Sequence, residues 1–330
     1  MLAPVTIAGV AKCVPERVVT NFDLESIVET SDEWIAKRTG IRSRHVVIGE
    51  TGVGMACQAA GDALAMSGVR VEDVGVIVAC TITGEDLTPS LAGSVQKALG
   101  IPVCAALDVS AGCTGFIYAL VTAASLMDTL QKDAAIVVAS EVMTKYLDWT
   151  DRSTCVLFGD GAGALVLRRS ETAHLLCPIL SATPDTDDVI TVRKEARTTP
   201  FTGPAEEIGS FIRMKGADVF TYAVGVMEQT LLQLSGACPD HPYTKVVPHQ
   251  ANEKIIDFVV RTMGLSREQF FVNISNYANT SSASIPIALS DAWESGWLRA
   301  GDRVALVGFG SGLTSGGAMI DWTLPNKKEN

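Results

Sequence analysis

Apolar and polar positions follow one another along the chain in blocks that predict an α/β protein. Continuous apolar runs of strand length, such as VGVIVAC (74–80) and AAIVVAS (134–140), are typical of parallel strands covered on both faces. They alternate with longer runs at helical spacing, such as GFIYALVTAASLM (115–127) and DVFTYAVGVMEQTLLQL (218–234). We therefore predict mixed, mostly parallel sheets with helices between and outside them.

A repeat of this pattern divides the chain into two parts. The matching pairs, each separated by about 165 to 170 residues, are VIVAC with VVPHQ, AIVVAS with VALVGF, and Cys113 with a position near Asn279. Three matches in one order indicate a duplicated unit. We predict one half over residues 1–172, ending with strand LVLRRS, and a second over 173–330. The segment from Thr183 to Pro204, rich in Asp, Thr and Pro, predicts an excursion over the surface.

Composition narrows the class of protein. With 330 residues, 47% of them hydrophobic, the chain can bury two cores, and its formal charge of -11 argues against nucleic acid or an anionic membrane as the main partner. No apolar run reaches about 18 residues, and the N-terminus lacks a basic signal-peptide stretch, so we expect no membrane span. Eight cysteines without CxxC or zinc spacing are typical of cytosolic thiols. We expect a cytoplasmic protein without a disulfide framework or structural metal.

Cys113 is the first candidate for chemistry. In DVSAGCTGF (108–116) it stands at the start of a predicted helix, where unpaired N–H groups and the helix dipole favour a thiolate. Small neighbours, Ala111, Gly112 and Gly115, leave room for a substrate beside the sulfur. The alternative is a buried cysteine that acts as a small hydrophobe.

His249 and Asn279 are candidates because the repeat places them at strand ends opposite the Cys113 half, and such ends carry ligands in α/β folds. Alone, His249 after strand VVP is as well explained as a hydrogen-bonded core histidine. Paired with Cys113, a neutral imidazole can donate a hydrogen bond to an oxyanion. Asn279 in NYANTSSASIP is explained by a turn or helix cap, or by a second oxyanion donor. No HExxH or other metal spacing exists.

Two glycine runs allow further alternatives. FGDGAGA (158–164) leads into a strand, so the helix of a dinucleotide-binding fingerprint is absent, and we predict tight packing in a strand pair. GFGSG (308–312) is explained by plain turn chemistry, or by backbone N–H groups that line a pocket with Phe309 as a shield.

Together these segments resemble β-ketoacyl-acyl carrier protein synthase III, the initiating condensing enzyme of type II fatty-acid synthesis in the thiolase-like superfamily. The resemblance covers nearly the whole chain except about Thr172 to Gly209. Its six segments, in order, are TSDEWIAKRTGIRSRH, DVSAGCTGF, TDRSTCVLFGDGAGA, VPHQAN, NTSSASIP and GFGSG. It implies a thiolase-like fold with layered α-β-α-β-α architecture, a homodimer, and no metal or redox cofactor.

The resemblance also implies a mechanism. Cys113 takes an acyl group from acyl-CoA as a thioester, with ping-pong kinetics. Malonyl-acyl carrier protein then loses carbon dioxide, and His249 and Asn279 hold the enolate oxygen. The carbanion attacks the acyl-Cys113 thioester, whose oxyanion binds N–H groups of Cys113 and the Gly310–Ser311 turn, while Phe309 excludes water.

Further site residues follow only from the resemblance. Trp34 and Arg152 sandwich the CoA adenine, a contact that stacking and cation–π attraction explain. The other implied positions are Thr30, Arg38 and Asn252 along the pantetheine tunnel, Thr88 and Leu157 in the acyl channel, and Arg213, Lys215, Lys254 and Arg261 in a carrier-protein docking patch.

The chain departs from the family pattern in three respects. Glu253 and Lys254 follow VPHQAN where the family often has arginine, and Thr221 stands where a docking lysine can occur. Thr88 replaces a residue that reaches into the partner subunit's acyl channel, where phenylalanine restricts the enzyme to short primers. We therefore predict that primers longer than acetyl are accepted.

Other functions fit the same three groups. One is a related acyltransferase or condensing enzyme of a specialised pathway with another acceptor. A Cys-His-Asn hydrolase is a more distant one, because the papain-type segment around the cysteine is missing. A binding protein with an inactive site would normally lose one of the three groups, and none is lost.

Overall fold

The structure, a computed structural model, describes residues 4–172, 175–193, 200–201, 210–239 and 242–326. Its strands are β1 (Val5–Cys13), β2 (Val18–Thr20), β3 (Ser43–His45), β4 (Val74–Cys80), β5 (Ala105–Val109), β6 (Ala134–Val142), β7 (Asp160–Arg169), β8 (Leu175–Ala182), β9 (Ile190–Thr191), β10 (Arg213–Met214), β11 (Lys245–Pro248), β12 (Arg303–Gly310) and β13 (Thr314–Asp321). Its helices are α1 (Asn21–Leu24), α2 (Asp32–Thr39), α3 (Gly52–Ser67), α4 (Leu91–Leu99), α5 (Gly115–Thr129), α6 (Arg152–Cys155), α7 (Gly216–Ala237), α8 (Glu253–Met263), α9 (Ile274–Tyr277) and α10 (Ser284–Glu294).

Two sheets form the framework, in the strand orders β1-β7-β6-β4-β5 and β11-β12-β13-β8. The expected excess of parallel pairing is wrong: in the described ranges, four of the seven pairings within these sheets are antiparallel. The connection from β12 to β13 is too short for the crossover that a parallel pair requires. FGDGAGA likewise starts one long strand, β7, and not the strand pair that we predicted.

Helices form three layers around the sheets. α5 and α10 lie between them in one core with residues of β4, β6, β12 and β13. α3 and α4 cover the outer face of the first sheet, and α7 and α8 cover the outer face of the second. The predicted α-β-α-β-α architecture is thereby confirmed. Gly163 explains part of the FGDGAGA run, because a Cβ there would come within 2.8 Å of Pro286 on α10.

The repeat appears as equivalent elements at one separation. β4 and β11 match from Val76 and Lys245, β6 and β12 match from their first residues, and α5 and α10 match from theirs, always 169 residues apart. At this separation the counterpart of Cys113 is Ser282, and Asn279 lies three residues earlier. The division at residue 172 stays a prediction; β7 ends at Arg169 and β8 begins at Leu175.

Cysteines differ in part from the expectation. Cys177 on β8 and Cys238 at the end of α7 form a disulfide, so the prediction of thiols throughout is wrong for this pair. The two cysteines are 61 residues apart in sequence and come together only when α7 packs on the second sheet, so the sequence did not indicate the pair. In the described part of the chain, no helix is both long enough and apolar enough to cross a membrane.

Candidate functional site

Cys113 lies in a single 3-10 turn, Gly112–Thr114, between β5 and α5. Gly112 has φ +52°, and a Cβ there would meet the Ser311 hydroxyl, so the turn needs glycine. The turn is also held to β13, because the Thr314 hydroxyl donates to the carbonyl of Ala111 at 2.9 Å. The sulfur is therefore carried by a rigid turn that both halves of the chain support.

The Cys113 side chain is only 6% exposed, and this burial raises the pKa of its thiol to about 11. The nearby Ser281 hydroxyl acts in the opposite direction, and the buried Glu141 carboxylate adds to the increase. The expectation that the helix start favours a thiolate is thus contradicted for the resting protein. Loss of solvation outweighs the partial charge of the helix terminus.

His249 follows β11, and its backbone N–H donates to Val307 at 2.8 Å. Its Nδ1 lies 2.6 Å from the Ser284 hydroxyl, which also accepts the Gln250 backbone N–H. Ser284 can therefore donate to Nδ1, and in that tautomer the proton of the imidazole lies on Nε2. Burial lowers the pKa of His249 to about 3, so the ring is a neutral hydrogen-bond donor at physiological pH.

Asn279 lies in the loop before the turn Ser281–Ala283, held by backbone hydrogen bonds to the Leu157–Gly159 segment. Its side-chain oxygen accepts the backbone N–H of Ser281 at 2.8 Å. This bond fixes the carboxamide and leaves its NH2 group as the donor available to a ligand. The turn alternative therefore holds for the oxygen only, and the cap position of the following 3-10 turn is Thr280.

Two cavities meet at Cys113. The first, the tunnel cavity of about 250 Å³, contains all three candidate groups, so the structure brings Cys113, His249 and Asn279 together. Predicted residues that also line it are Trp34, Arg38, Arg152, Asn252, Phe309 and Gly310. Leu157, which the resemblance placed in the acyl channel, lines this cavity as well and not the second one. The second, the wide cavity of about 610 Å³, is lined by Cys113 and Ser311, with Thr81, Thr83 and Phe158 among its other walls.

GFGSG lies between these cavities. Phe309 is buried, with its ring edge-on to His249 at 5.2 Å between centroids. Gly310 packs on the Cys113 backbone, where a Cβ would come within 2.7 Å of the amide nitrogen. Of the two readings of this run, the pocket-lining one therefore agrees with the geometry.

The predicted nucleotide sandwich is closed in this structure. The Arg152 guanidinium lies 4.7 Å from the centroid of the Trp34 ring, and that of Arg38 lies 4.9 Å from it. A ring inserted between Trp34 and Arg152 needs about 7 Å, two van der Waals contacts. Arg152, which also donates to the Glu29 carbonyl, must therefore move before an adenine can stack.

Other predicted residues lie outside the cavities. Thr30 and Thr88 line neither of them, and Thr88 is exposed. Arg213 and Lys215 are exposed on either side of Met214, which lines the tunnel cavity. On α8, Lys254 pairs with Asp257 at 3.7 Å and Arg261 lies over Phe258 at 5.2 Å. None of these four cations lines either cavity.

Sequence reasoning missed two residues that are shared by both cavities. Phe158 and Ile190 line both cavities. Phe158 opens the FGDGAGA segment, which could have been its signal. Ile190 lies in the predicted surface excursion, where Val189 is also buried, so that prediction is wrong for these positions; residues 194–199 and 202–204 of the excursion lie outside the described residues.

This arrangement can stabilise negative charge on oxygen. Two neutral donors, the His249 imidazole and the Asn279 amide, share a mostly apolar cavity with the thiol. A papain-like hydrolase requires a thiolate paired with an imidazolium, and the pKa directions of Cys113 and His249 oppose such a pair. No metal-binding cluster of His, Cys, Asp or Glu occurs within the described ranges.

Known proteins share both the sequence and the fold. Family models described as 3-Oxoacyl-[acyl-carrier-protein (ACP)] synthase III and its C terminal match residues 107–184 and 241–322. A Beta-ketoacyl-[acyl-carrier-protein] synthase III of Clostridium acetobutylicum is 40% identical over 323 residues, covering 97% of this chain and 99% of the relative.

Two solved structures extend the comparison. The 3-oxoacyl-[acyl-carrier-protein] synthase III of Aquifex aeolicus VF5 matches with TM-score 0.88 and 38% identity, covering 96% of this chain and 100% of the other. The priming beta-ketosynthase from the R1128 polyketide biosynthetic pathway matches with TM-score 0.88 and 30% identity over 98% of each chain. Identity of this extent, with the site residues in one cavity, confirms that the chain belongs to the β-ketoacyl-acyl carrier protein synthase III family.

Proposed function

We propose that the protein condenses an acyl-CoA primer with malonyl-acyl carrier protein to give 3-oxoacyl-acyl carrier protein, the initiating reaction of fatty-acid synthesis. Family membership supports the reaction, and one observation supports the assignment of roles: Cys113, His249 and Asn279 line one cavity. The reaction needs no resident metal or redox cofactor, since the sulfur carries the acyl group and the donors carry the developing charge.

In the first half-reaction, the Cys113 sulfur attacks the thioester carbonyl of acyl-CoA and CoA leaves as a thiol. Because the resting thiol is protonated, its proton passes to the departing CoA sulfur and no net charge remains in the site. Backbone N–H groups of Cys113 and of the Gly310–Ser311 turn hold the oxyanion of the tetrahedral intermediate.

In the second half-reaction, the malonyl carboxylate leaves as carbon dioxide, and its electron pair forms an enolate. Nε2–H of His249 and the amide of Asn279 donate to the enolate oxygen. Carbon–carbon bond formation at the acyl-Cys113 carbonyl then releases the sulfur, which takes up a proton. Phe309 covers the imidazole and helps keep water from this charge.

The wide cavity supports a primer longer than acetyl. It is lined by Cys113 and has about 610 Å³, far more than a two-carbon group fills. A series of acyl-CoA lengths tests this specificity; strict preference for acetyl-CoA would contradict it.

A homodimer in the cytoplasm completes the proposal. β5 is an edge of the first sheet in the described part of the chain, and two apolar side chains near it, Leu87 and Val103, are 79% and 97% exposed. An apolar edge of this kind is suited to pairing with a second copy. Thr88, next to Leu87, is then placed to reach the partner's acyl channel.

A second candidate keeps the chemistry and changes the pathway. The match to a priming ketosynthase of polyketide synthesis, and the size of the wide cavity, favour a condensing enzyme that starts a specialised chain with a larger primer. The identity of the acyl donor and acceptor separates these two functions.

Mass spectrometry of the intact protein tests the proposal. Incubation with acyl-CoAs should add one acyl mass to the wild type and to Cys57→Ala, a control because Cys57 on α3 lines neither cavity, but not to Cys113→Ala. Added malonyl-acyl carrier protein should remove the mass and yield 3-oxoacyl product. An adduct that persists in Cys113→Ala, or product with malonyl-CoA only, would contradict the proposal.

A further inference from the structure

Glu141 is the one charged group in the described ranges that lies fully buried between the two halves beside the nucleophile. It is the second-last residue of β6, before Val142, and has no exposed surface. One carboxylate oxygen accepts from the Thr83 hydroxyl at 2.8 Å, the Ile82 backbone N–H at 3.1 Å and the Thr81 hydroxyl at 3.2 Å. The other accepts from the Ser282 hydroxyl at 2.5 Å.

These bonds join two segments that the reaction uses. Thr81 to Thr83 form a wall of the wide cavity, where the acyl chain is proposed to lie. Ser282 belongs to the turn Ser281–Ala283, whose first N–H holds the Asn279 carboxamide. Glu141 is therefore two hydrogen-bonded steps from the group that is proposed to bind the enolate.

The repeat gives an independent reason to assign Glu141 a role. At the separation of 169 residues, Glu141 corresponds to Gly310 and Ser282 corresponds to Cys113. Gly310 packs on the Cys113 turn from the opposite half, and Glu141 reaches the Ser282 turn in the same manner. At Cys113 the two halves meet backbone against backbone, through Gly310. At Ser282 the Glu141 carboxylate makes the equivalent contact.

We propose that Glu141 is a positioning residue for the condensation step, which it serves by holding the Ser282 turn, and with it the Asn279 amide, against the Cys113 turn. The proposal rests on the function assigned above. It concerns the second half-reaction, because attack of Cys113 on acyl-CoA uses oxyanion donors of the Cys113 and Gly310–Ser311 backbone and not the Asn279 amide.

Four donors around one carboxylate explain why a buried glutamate is tolerated here. Three of them share one oxygen and the fourth binds the other, so both oxygens have hydrogen-bond partners only when both halves are in place. Removal of the Ser282 hydroxyl leaves the Thr81 to Thr83 bonds intact and breaks the bond by which Glu141 holds the Ser282 turn. Ser282→Ala is therefore the most specific test.

Two half-reactions are measured separately on each variant. Acylation is followed as the burst of CoA release, and condensation as a single turnover of pre-acylated enzyme with malonyl-acyl carrier protein. For Ser282→Ala we expect condensation to fall about tenfold or more and acylation to stay within about threefold of wild type. Ser290→Ala is the matched control, because Ser290 is a buried serine of α10 whose hydroxyl has no partner among the described residues.

Glu141→Asp provides a second variant with the charge retained and the carboxylate withdrawn from Ser282, and it should show the same selective loss. Parallel loss in both half-reactions, or no loss in either, overturns the positioning role. Absence of product from the wild-type enzyme would instead refute the assigned function, so the two failures are distinguishable.

Discussion

Gly310 lies on the backbone of Cys113 so closely that no side chain fits between them. A Cβ at position 310 would come within 2.7 Å of the Cys113 amide nitrogen and 2.9 Å of its Cβ. The amide is a proposed oxyanion donor, and the contact fixes both its position and its direction. Glycine at 310 is therefore a requirement of the site geometry, and five predictions follow from this and related contacts.

Gly310→Ala should displace the Cys113 turn. We expect kcat/KM to fall about 100-fold or more, the usual effect of losing one oxyanion donor, and stability to fall by about 1 to 3 kcal/mol through overpacking. Gly225→Ala is the control, since nothing lies within 4 Å of a Cβ at this exposed helical position. Steady-state kinetics and urea unfolding measure both effects; an alanine variant with wild-type rates would show that the turn adapts.

Cys113 should react as a protonated thiol in the resting enzyme. Because its pKa is raised to about 11, the thiolate fraction grows about tenfold per pH unit across pH 7 to 9. The rate of alkylation by iodoacetamide should therefore rise over this whole range without a plateau. Mass spectrometry of the modified Cys113 peptide gives the rate, with the half-buried Cys57 as an internal reference. A plateau below pH 8 would indicate an activated thiolate and would contradict this state.

His249 should make the folded protein sensitive to acid. Its pKa is lowered to about 3 in the folded state, whereas an unfolded histidine titrates near 6.5. The unfolded chain therefore binds more protons between these values, and stability falls as the pH falls through 6.5, by about 2 kcal/mol from this group at pH 5. His249→Asn should lack this contribution. Urea unfolding at pH 7 and pH 5 gives the loss of stability for the wild type and for the variant. An equal loss in both proteins would refute the buried neutral state of His249.

Arg152 should matter only for thioesters that carry a nucleotide. Loss of a cation–π partner costs about 0.5 to 2 kcal/mol, so Arg152→Ala should raise KM for acyl-CoA about tenfold and leave kcat near wild type. An acyl thioester of N-acetylcysteamine, which has no adenine, should show no change. Arg70→Ala, on a distant exposed ion pair, controls for net charge. Equal effects on both thioesters would place Arg152 in some other role.

Thiol labelling should distinguish the paired cysteines from the others. Under denaturing conditions without reductant, six of the eight cysteines should label, and reduction should expose Cys177 and Cys238 as well. Labelling of all eight before reduction would show that this pair is reduced in the purified protein.

The sequence predicted what depends on strand order. Cys113 and His249 each follow a strand of a duplicated unit, and Asn279 lies near the repeat position of Cys113. Because equivalent strand ends meet where two such units pack, these groups could be assigned to one cavity without coordinates. The layered architecture followed from the same alternation of strands and helices.

The remainder depends on contacts between segments that are distant in sequence. Burial of Cys113 by the opposite half, and not its helix, decides its protonation state. Ile190 lines both cavities from a stretch whose composition indicates surface, and the Arg152 guanidinium lies over the Trp34 ring from a distant segment of the chain. Composition and spacing contain no measure of such packing, so these features could be found only in the folded chain.

Because two cavities meet at the Cys113 sulfur, the structure determines the order in which substrates occupy the site. Under the proposed function, the pantetheine arms of CoA and of the carrier protein both enter the tunnel cavity, where Arg152 and Trp34 lie together with His249 and Asn279. The first arm must then withdraw before the second arrives, while the primer stays on Cys113. Free CoA therefore competes with the extender for this one cavity.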